Sequence, residues 1–429
     1  MRPSRLFHAL AAGSLAWLGS LLPSTLSAQF AAVPRERTIP TRELVAREVE
    51  TARYRLGPLR ILPRFRLTGG YEDNVFGTSR EEAKVSDYTA VVRAGARLVV
   101  PAGSRIYLRG DALPEYTWYE RLDERRFLGG DYRAAFLAYF NRASLEAAGY
   151  TSKNLDIFGF ETEARAIQTL QGGEAELGIE LLRSLFVYGG GEVRESRYAL
   201  IASEPDFDSY DPRRLDRTDS AAHAGLRYQI SESFAVSAEA QVARSEFEQD
   251  PQLRDNQTEG VVGGIRFNRP RLFINLFGGY REGRSYNGSS FPSYSTPTGS
   301  YFVSFFLARP VELQAFGQRR VVYGAAEGNP FIISTFNGGA VQVRIRQRFS
   351  VRGFGEYGTN NASGPANAAN PETLRRDKVT ILGAGVSALL FRNVAVTVQG
   401  TEKEYVSNIP GRGRKVFYLT TGLSLQGDL

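Results

Sequence analysis

The 429-residue sequence has no cysteine, two histidines and five lysines. Without cysteine there is no disulfide framework, thiolate metal site, cysteine nucleophile or acylated lipoprotein cysteine. With His8 and His223 as its histidines, the chain is a poor candidate for a histidine zinc site, and any Ser-His-Asp arrangement would have to use His223. Long hydrophobic runs are missing too. Beyond residue 30 nothing approaches the roughly 18 consecutive apolar residues of a membrane helix, and the mean hydropathy of −0.28 excludes a helical membrane bundle. Excess charge of one sign is also scarce. The 53 basic and 46 acidic residues leave a net +7, too mild to read as nucleic-acid binding. What is abundant is arginine (48 of the 53 basic residues), glycine (44), phenylalanine (27) and tyrosine (21).

Residues 1–28 read as a secretory signal peptide. Arg2 and Arg5 precede the apolar stretch Leu6 to Leu22, and Ser24 to Ala28 offers a small-residue cleavage zone. Residues 29–58 form a separate periplasmic segment. Within it Leu44, Val45, Val49 and Ala52 sit at helical spacing, which suggests a short helix or lumen plug, with a disordered lead-in as the alternative. The rest of the chain, 59–429, follows a different rule.

That rule is period two. From 88 to 100, Tyr88, Ala90, Val92, Ala94, Ala96, Leu98 and Val100 share one parity, while Arg93 and Arg97 fall on the other. Ile106, Leu108, Gly110 and Ala112 alternate likewise with Tyr107, Arg109 and Asp111, and Val394, Val396 and Val398 with Ala395, Thr397 and Gln399. Strands of ten or more residues with one apolar and one polar face match membrane strands that show lipid one side and a watery lumen the other. Eight tight turns, from Pro101-Ala102-Gly103 to Arg392-Asn393, alternate with nine longer polar stretches. The expected fold is therefore all-β: an antiparallel transmembrane barrel of about eighteen strands, with both barrel termini on the short-turn, periplasmic side. Sixteen strands is the alternative, since 143–156 and 296–324 are the weakest strands.

Function should reside on the lumen parity. Arg93, Arg97, Arg105, Arg109, Arg227, Arg266, Arg344, Arg346 and Arg352 fall there with Glu115, Glu239 and Glu356. Two readings follow: cross-strand ion pairs that keep the wall polar, or a guanidinium path for anions. Arginine excess in the first three hairpins suggests a modest anion preference. His223 also has lumen parity and reads as pore-lining. The acid-rich loop 204–219 lacks the glycine and terminal glutamate of an EF-hand, so no metal site is expected. No catalytic residue or cofactor is expected.

The string Tyr54-Arg55-Leu56-Gly57-Pro58 to Pro63, followed by Tyr71-Glu72-Asp73-Asn74-Val75-Phe76, resembles the opening of the putative beta-barrel porin type 2 family, with Gly57, Pro63, Tyr71, Asp73, Asn74 and Phe76 as its motif residues. Physical reading makes Asp73-Asn74 turn chemistry. The resemblance implies an outer-membrane barrel of a Gram-negative bacterium, associated with exopolysaccharide or capsule export. A nutrient-uptake diffusion porin and a structural or adhesive barrel are the alternatives. Expected partners are outer-membrane lipid and lipopolysaccharide, the barrel-assembly machinery and, for export, periplasmic polysaccharide-export components; nucleic acid is not one. The chain ends Leu425-Gln426-Gly427-Asp428-Leu429, departing from the aromatic terminus common in such barrels.

Overall fold

A computed structural model describes residues 42–79, 83–201, 210–346, 348–362, 371–391 and 394–426. The signal-peptide and 29–41 expectations lie outside them. The described chain begins with helix α1 (Arg42–Thr51) and a short strand β1 (Tyr54–Leu56) that folds back on the next. Then come β2 (Leu59–Glu72), β3 (Asp87–Ala102), β4 (Ile106–Tyr119), β5 (Phe127–Tyr139), β6 (Ala143–Ile157) and β7 (Arg165–Leu182). They are followed by β8 (Leu185–Ala199), β9 (Arg217–Ser231), β10 (Phe234–Phe247), β11 (Asn256–Arg269), β12 (Leu272–Ser285) and β13 (Tyr294–Ala308). The last six are β14 (Val311–Tyr323), β15 (Phe331–Ile345), β16 (Phe349–Ala362), β17 (Arg376–Phe391), β18 (Val394–Ser407) and β19 (Arg414–Gln426).

Each strand from β2 to β19 pairs antiparallel with the next, and β19 returns to β2 with Leu423 opposite Leu67. The result is a closed barrel of eighteen strands. Closure is what lipid demands, because an open edge would leave backbone groups without hydrogen-bond partners in hydrocarbon. The doubtful stretches are full strands: 143–156 is β6, and 296–324 is β13 and β14 hinged at Arg309-Pro310. Strands of 13 to 18 residues exceed the roughly 9–11 that cross a bilayer, so the wall stands clear of it.

Alternation sorts the side chains as the sequence implied. On β3 Tyr88 and Val92 are exposed outward, whereas Val99 is buried within. On β7 Leu177 and Ile179 face out and Glu174 and Glu176 face in. Tyr71 and Tyr88 pack outward with ring centroids 5.0 Å apart, part of an aromatic girdle. Both described ends of the barrel, the start of β2 and the end of β19, lie at the short-turn end.

Candidate functional site in the lumen

The wall of β3 to β5 is a closed ion-pair lattice. Arg93 faces Glu115 in register at 2.5 Å and also reaches Asp131 at 3.0 Å. Arg97 faces Asp111 at 2.7 Å, and Arg109 lies 3.5 Å from the same carboxylate. These arginines and Glu115 line the lumen, with their charge answered by neighbours. Arg227 lies over the Phe186 ring at 5.0 Å, Arg344 contacts Glu312 at 2.7 Å, and Arg352, on the same inward parity as Glu356, lies over Phe354 at 5.3 Å. Arg266 keeps inward parity opposite Asn275. Two expectations are corrected. Arg105 and Arg346 stand in short turns, exposed, Arg346 at φ 51°. Parity extrapolated past the last paired residue loses meaning where the chain reverses.

β6 to β10 form an acidic face. Register places Glu146 opposite Glu176 and Glu174 opposite Glu192. Like charges directly opposite repel, so such pairs need counter-charge or water. Arg133 supplies part of it, contacting Glu146 at 2.6 Å and Glu174 at 2.5 Å. His223 does point inward, its Nε2 3.6 Å from Glu176, and the Tyr188 hydroxyl donates to Glu239 at 2.9 Å. The Tyr150 hydroxyl donates to Glu192.

The long-loop end is narrowed from within. All residues of the β6–β7 loop, 158–164, are buried, although the sequence read 157–170 as a solvated polar loop. β6 and β15 stand nine strands apart in a ring of eighteen, so they face each other across the lumen. Phe160 nevertheless stacks on Phe336 of β15 at 6.3 Å and packs with Val322, Ile332, Val379 and Tyr405. This loop spans the full diameter.

Charge holds it there. Glu163 is bound by Lys403 at 2.8 Å and by the Tyr418 hydroxyl at 3.1 Å, while Arg414 donates to the Phe160 and Glu161 carbonyls at 2.9 and 3.2 Å. Burial alone would raise the Glu163 carboxyl, but Lys403 and Arg414 outweigh it and hold its pKa down at about 2. Glu161 accepts from the Ala325 N–H at 3.1 Å, joining this loop to the β14–β15 loop. Tyr210 bridges Ala326, and Arg254 donates to the Gly324 and Ala326 carbonyls at 2.6 and 3.1 Å. Phe158, Tyr210, Leu215, Phe291 and Phe331 fill the space between.

The short-turn end holds α1. Val45 and Ala52 are buried against the inward residues Leu62, Val99, Tyr107, Leu137 and Tyr139. Glu48 contacts Arg97 at 2.5 Å and Arg109 at 3.7 Å. The helix suggested by the spacing of Leu44, Val45, Val49 and Ala52 thus lies inside the wall of β2 to β5.

The family-motif residues lie in turns, on β2 and at the seam of the barrel. Gly57 turns β1 into β2 at φ 57°, a left-handed conformation that favours glycine. Pro63 and Tyr71 lie on β2. Asp73 accepts the Phe417 N–H at 2.6 Å; the Asn74 amide donates to the Thr78 and Lys415 carbonyls at 3.0 and 3.4 Å. Together they staple the seam between the first and last strands. Phe76 lies under the Arg125 guanidinium at 4.7 Å. Of the acid-rich loop, Glu204, Asp206 and Asp208 lie outside the described residues. Asp211 caps a turn at Arg213 and Asp219 pairs with Arg194 at 2.8 Å. Among the described residues no group of three or more acids or histidines is arranged to hold a metal.

The model of the putative beta-barrel porin 2 family matches residues 145–426, about two-thirds of the chain. The match begins in β6, so the Tyr54–Phe76 string lies outside it. No curated protein matches. Solved structures of similar fold include OccK2 (OpdF) of Pseudomonas aeruginosa in complex with glucuronate, at 12% identity and TM-score 0.53, covering 85% of this chain and 98% of that one. A BenF-like porin from Pseudomonas fluorescens Pf-5 follows at 12% and 0.52, again covering 85% and 98%, and Pseudomonas aeruginosa OpdQ at 9% and 0.51 with the same coverage. At such identities the likeness is one of fold. The chain belongs to the putative beta-barrel porin 2 family and is a porin-like channel of the Gram-negative outer membrane.

Proposed function

We propose that the chain is a diffusion channel for the uptake of small hydrophilic solutes, with its short turns in the periplasm. The observation that carries this is the 158–164 loop, which crosses the lumen and packs on the opposite wall. A barrel of this strand number would otherwise leave an aqueous channel. Divided at one end by a loop and lined at the other by α1, it suits passage around these obstacles by small molecules better than threading of a polysaccharide. OccK2, similar in fold, was crystallised with glucuronate, a single sugar acid. The acidic face adds a preference. Arg93, Arg97 and Arg109 are neutralised and Arg105 lies outside the wall, whereas Glu146, Glu174, Glu176, Glu192 and Glu239 outnumber Arg133, Arg227 and His223 beside them, Arg194 being taken up by Asp219. The reading therefore replaces the anion preference with a modest cation preference, since rings of fixed charge set selectivity.

Proteoliposome swelling tests the size claim: monosaccharides should enter and dextrans should not. A deletion strain should keep its surface polysaccharide and lose uptake of a small nutrient. Loss of surface polysaccharide with nutrient uptake intact would return the export reading. Reversal potentials in planar bilayers should favour potassium over chloride, and Glu174→Gln with Glu176→Gln should shift them toward chloride.

A further inference from the structure

Arg105 and Arg346 share their position with Arg142, Arg183, Arg269, Arg271, Arg309 and Arg348: all eight lie in or beside short turns and all are exposed. In sequence the eight short turns contain a single acid, Glu232. None of these arginines forms an ion pair among the described residues; the side-chain partner of Arg105 is the neutral Asn141, at 3.2 Å. Several outer-surface cations at the long-loop end, by contrast, pair with an acidic neighbour, although Arg121, Arg376 and Lys378 there do not among the described residues. There Arg197 meets Glu195 at 2.7 Å, Lys415 meets Glu402 at 2.8 Å, and Arg284 contacts Glu259. A circle of unanswered like charges at one rim repels itself unless an anion supplied from outside sits against it.

The turns also say at what height that anion lies. Large apolar residues flank the arginines and stand exposed on the outer wall: Phe140 beside Arg142, Leu182 beside Arg183, Leu307 near Arg309, Phe349 beside Arg348. Such side chains sit in the acyl region, which places the neighbouring guanidinium at the level of lipid headgroups. Arginine, used here without one lysine, holds phosphate oxygens bidentately.

We propose that the short turns form an arginine collar that binds the phosphates of anionic glycerophospholipids in the periplasmic leaflet of the outer membrane. This rests on the orientation given under the proposed function. The test is phospholipid retention by the full chain. Protein reconstituted in vesicles of phosphatidylcholine with phosphatidylglycerol is re-extracted in mild detergent, and its bound lipid is measured by native mass spectrometry. The wild type should retain phosphatidylglycerol over phosphatidylcholine. The combined variant R142Q/R183Q/R269Q/R271Q/R309Q/R348Q should retain about tenfold less or lower still, while remaining heat-modifiable on gels. The corresponding lysine variant should recover part of the binding, because charge is restored without the bidentate fork. Equal phosphatidylglycerol retention by the wild type and the glutamine variant would overturn the collar. Preference of the wild type for lipid A, lost in the glutamine variant, would show a phosphate-binding collar in the opposite leaflet and so defeat the orientation. If the glutamine changes reduce retention of soluble polygalacturonate and leave lipid untouched, the surface docks an acidic polymer and the lipid proposal fails.

Discussion

The lumen is narrowed at both ends, by α1 at the short-turn end and by the 158–164 loop at the other, but the attachments differ. α1 rests on an apolar contact, with Val45 and Ala52 against five wall residues, and one carboxylate, Glu48, reaches the arginines. The loop adds to its apolar Phe160 contact a buried charge cluster in which Glu163 serves Lys403 and Arg414 together. Apolar contact is non-directional and each Val-sized side chain contributes about 1.5–3 kcal/mol. A buried ion cluster is stiffer: removing one member strands the others without solvent. The lesson is that the obstruction at the long-loop end should fail abruptly and the one at the short-turn end gradually.

The largest effect should come from Glu163→Gln. It leaves Lys403 and Arg414 buried without their counter-charge, a loss of about 3–5 kcal/mol, and should free the loop and raise single-channel conductance. Acid offers the same test without mutation. The carboxyl is held below its ordinary 4.5, so its contribution is full above that value and disappears as pH falls through about 2. Conductance should therefore stay level from neutrality to about pH 4 and climb steeply below, and a rise already complete at pH 5 would break the contrast between the ends.

The wall common to both ends sets the next magnitude. Val92→Arg, on the lipid face, should cost about 2–4 kcal/mol near the bilayer midplane and impair assembly, while Thr89→Arg on the lumen parity should be tolerated. Heat-modifiable gel mobility distinguishes them. Val45→Asp should release α1 at a cost of about 1.5–3 kcal/mol, raising conductance while the barrel remains folded. Because the two obstructions stand at opposite ends of the barrel, combining Val45→Asp with Glu163→Gln should give additive free-energy changes. Smallest is Asn74→Ala. It removes the amide that ties the β2–β3 loop to Lys415, at about 1–3 kcal/mol, and should lower the temperature at which the barrel opens on gels without changing conductance.

Much of the wall was legible in the sequence. Period two and turn spacing located eight short turns and eighteen strands, because a membrane strand repeats a two-residue rule and any slip would turn charges toward lipid. In the structure Arg93, Arg97, Arg109, Arg227, Arg266, Arg344, Arg352, Glu115, Glu239 and Glu356 lie on the inward parity, whereas Arg105 and Arg346 stand in turns, where there is no strand to alternate. The resemblance was right about the family, although the matching span begins at residue 145, well past the string that suggested it. The 158–164 loop was misread for a definite reason. Gly159, Glu161, Thr162 and Glu163 look like solvated polar chain, and their burial is stable because Lys403, Arg414 and Ala325, between 164 and 253 residues later, supply the partners.

By itself, then, the sequence determined that this chain is a membrane barrel, its strand number to within one hairpin and which parity meets water, since these follow from local repetition and from the requirement that every backbone group in lipid be paired. Tertiary structure decided what occupies the lumen and which charges remain unanswered. Closing β19 onto β2 brings distant strands face to face, so a seven-residue loop can reach the opposite wall and glutamates far apart in sequence can share one face. No local pattern encodes those distances, because they depend on the circumference of the closed ring.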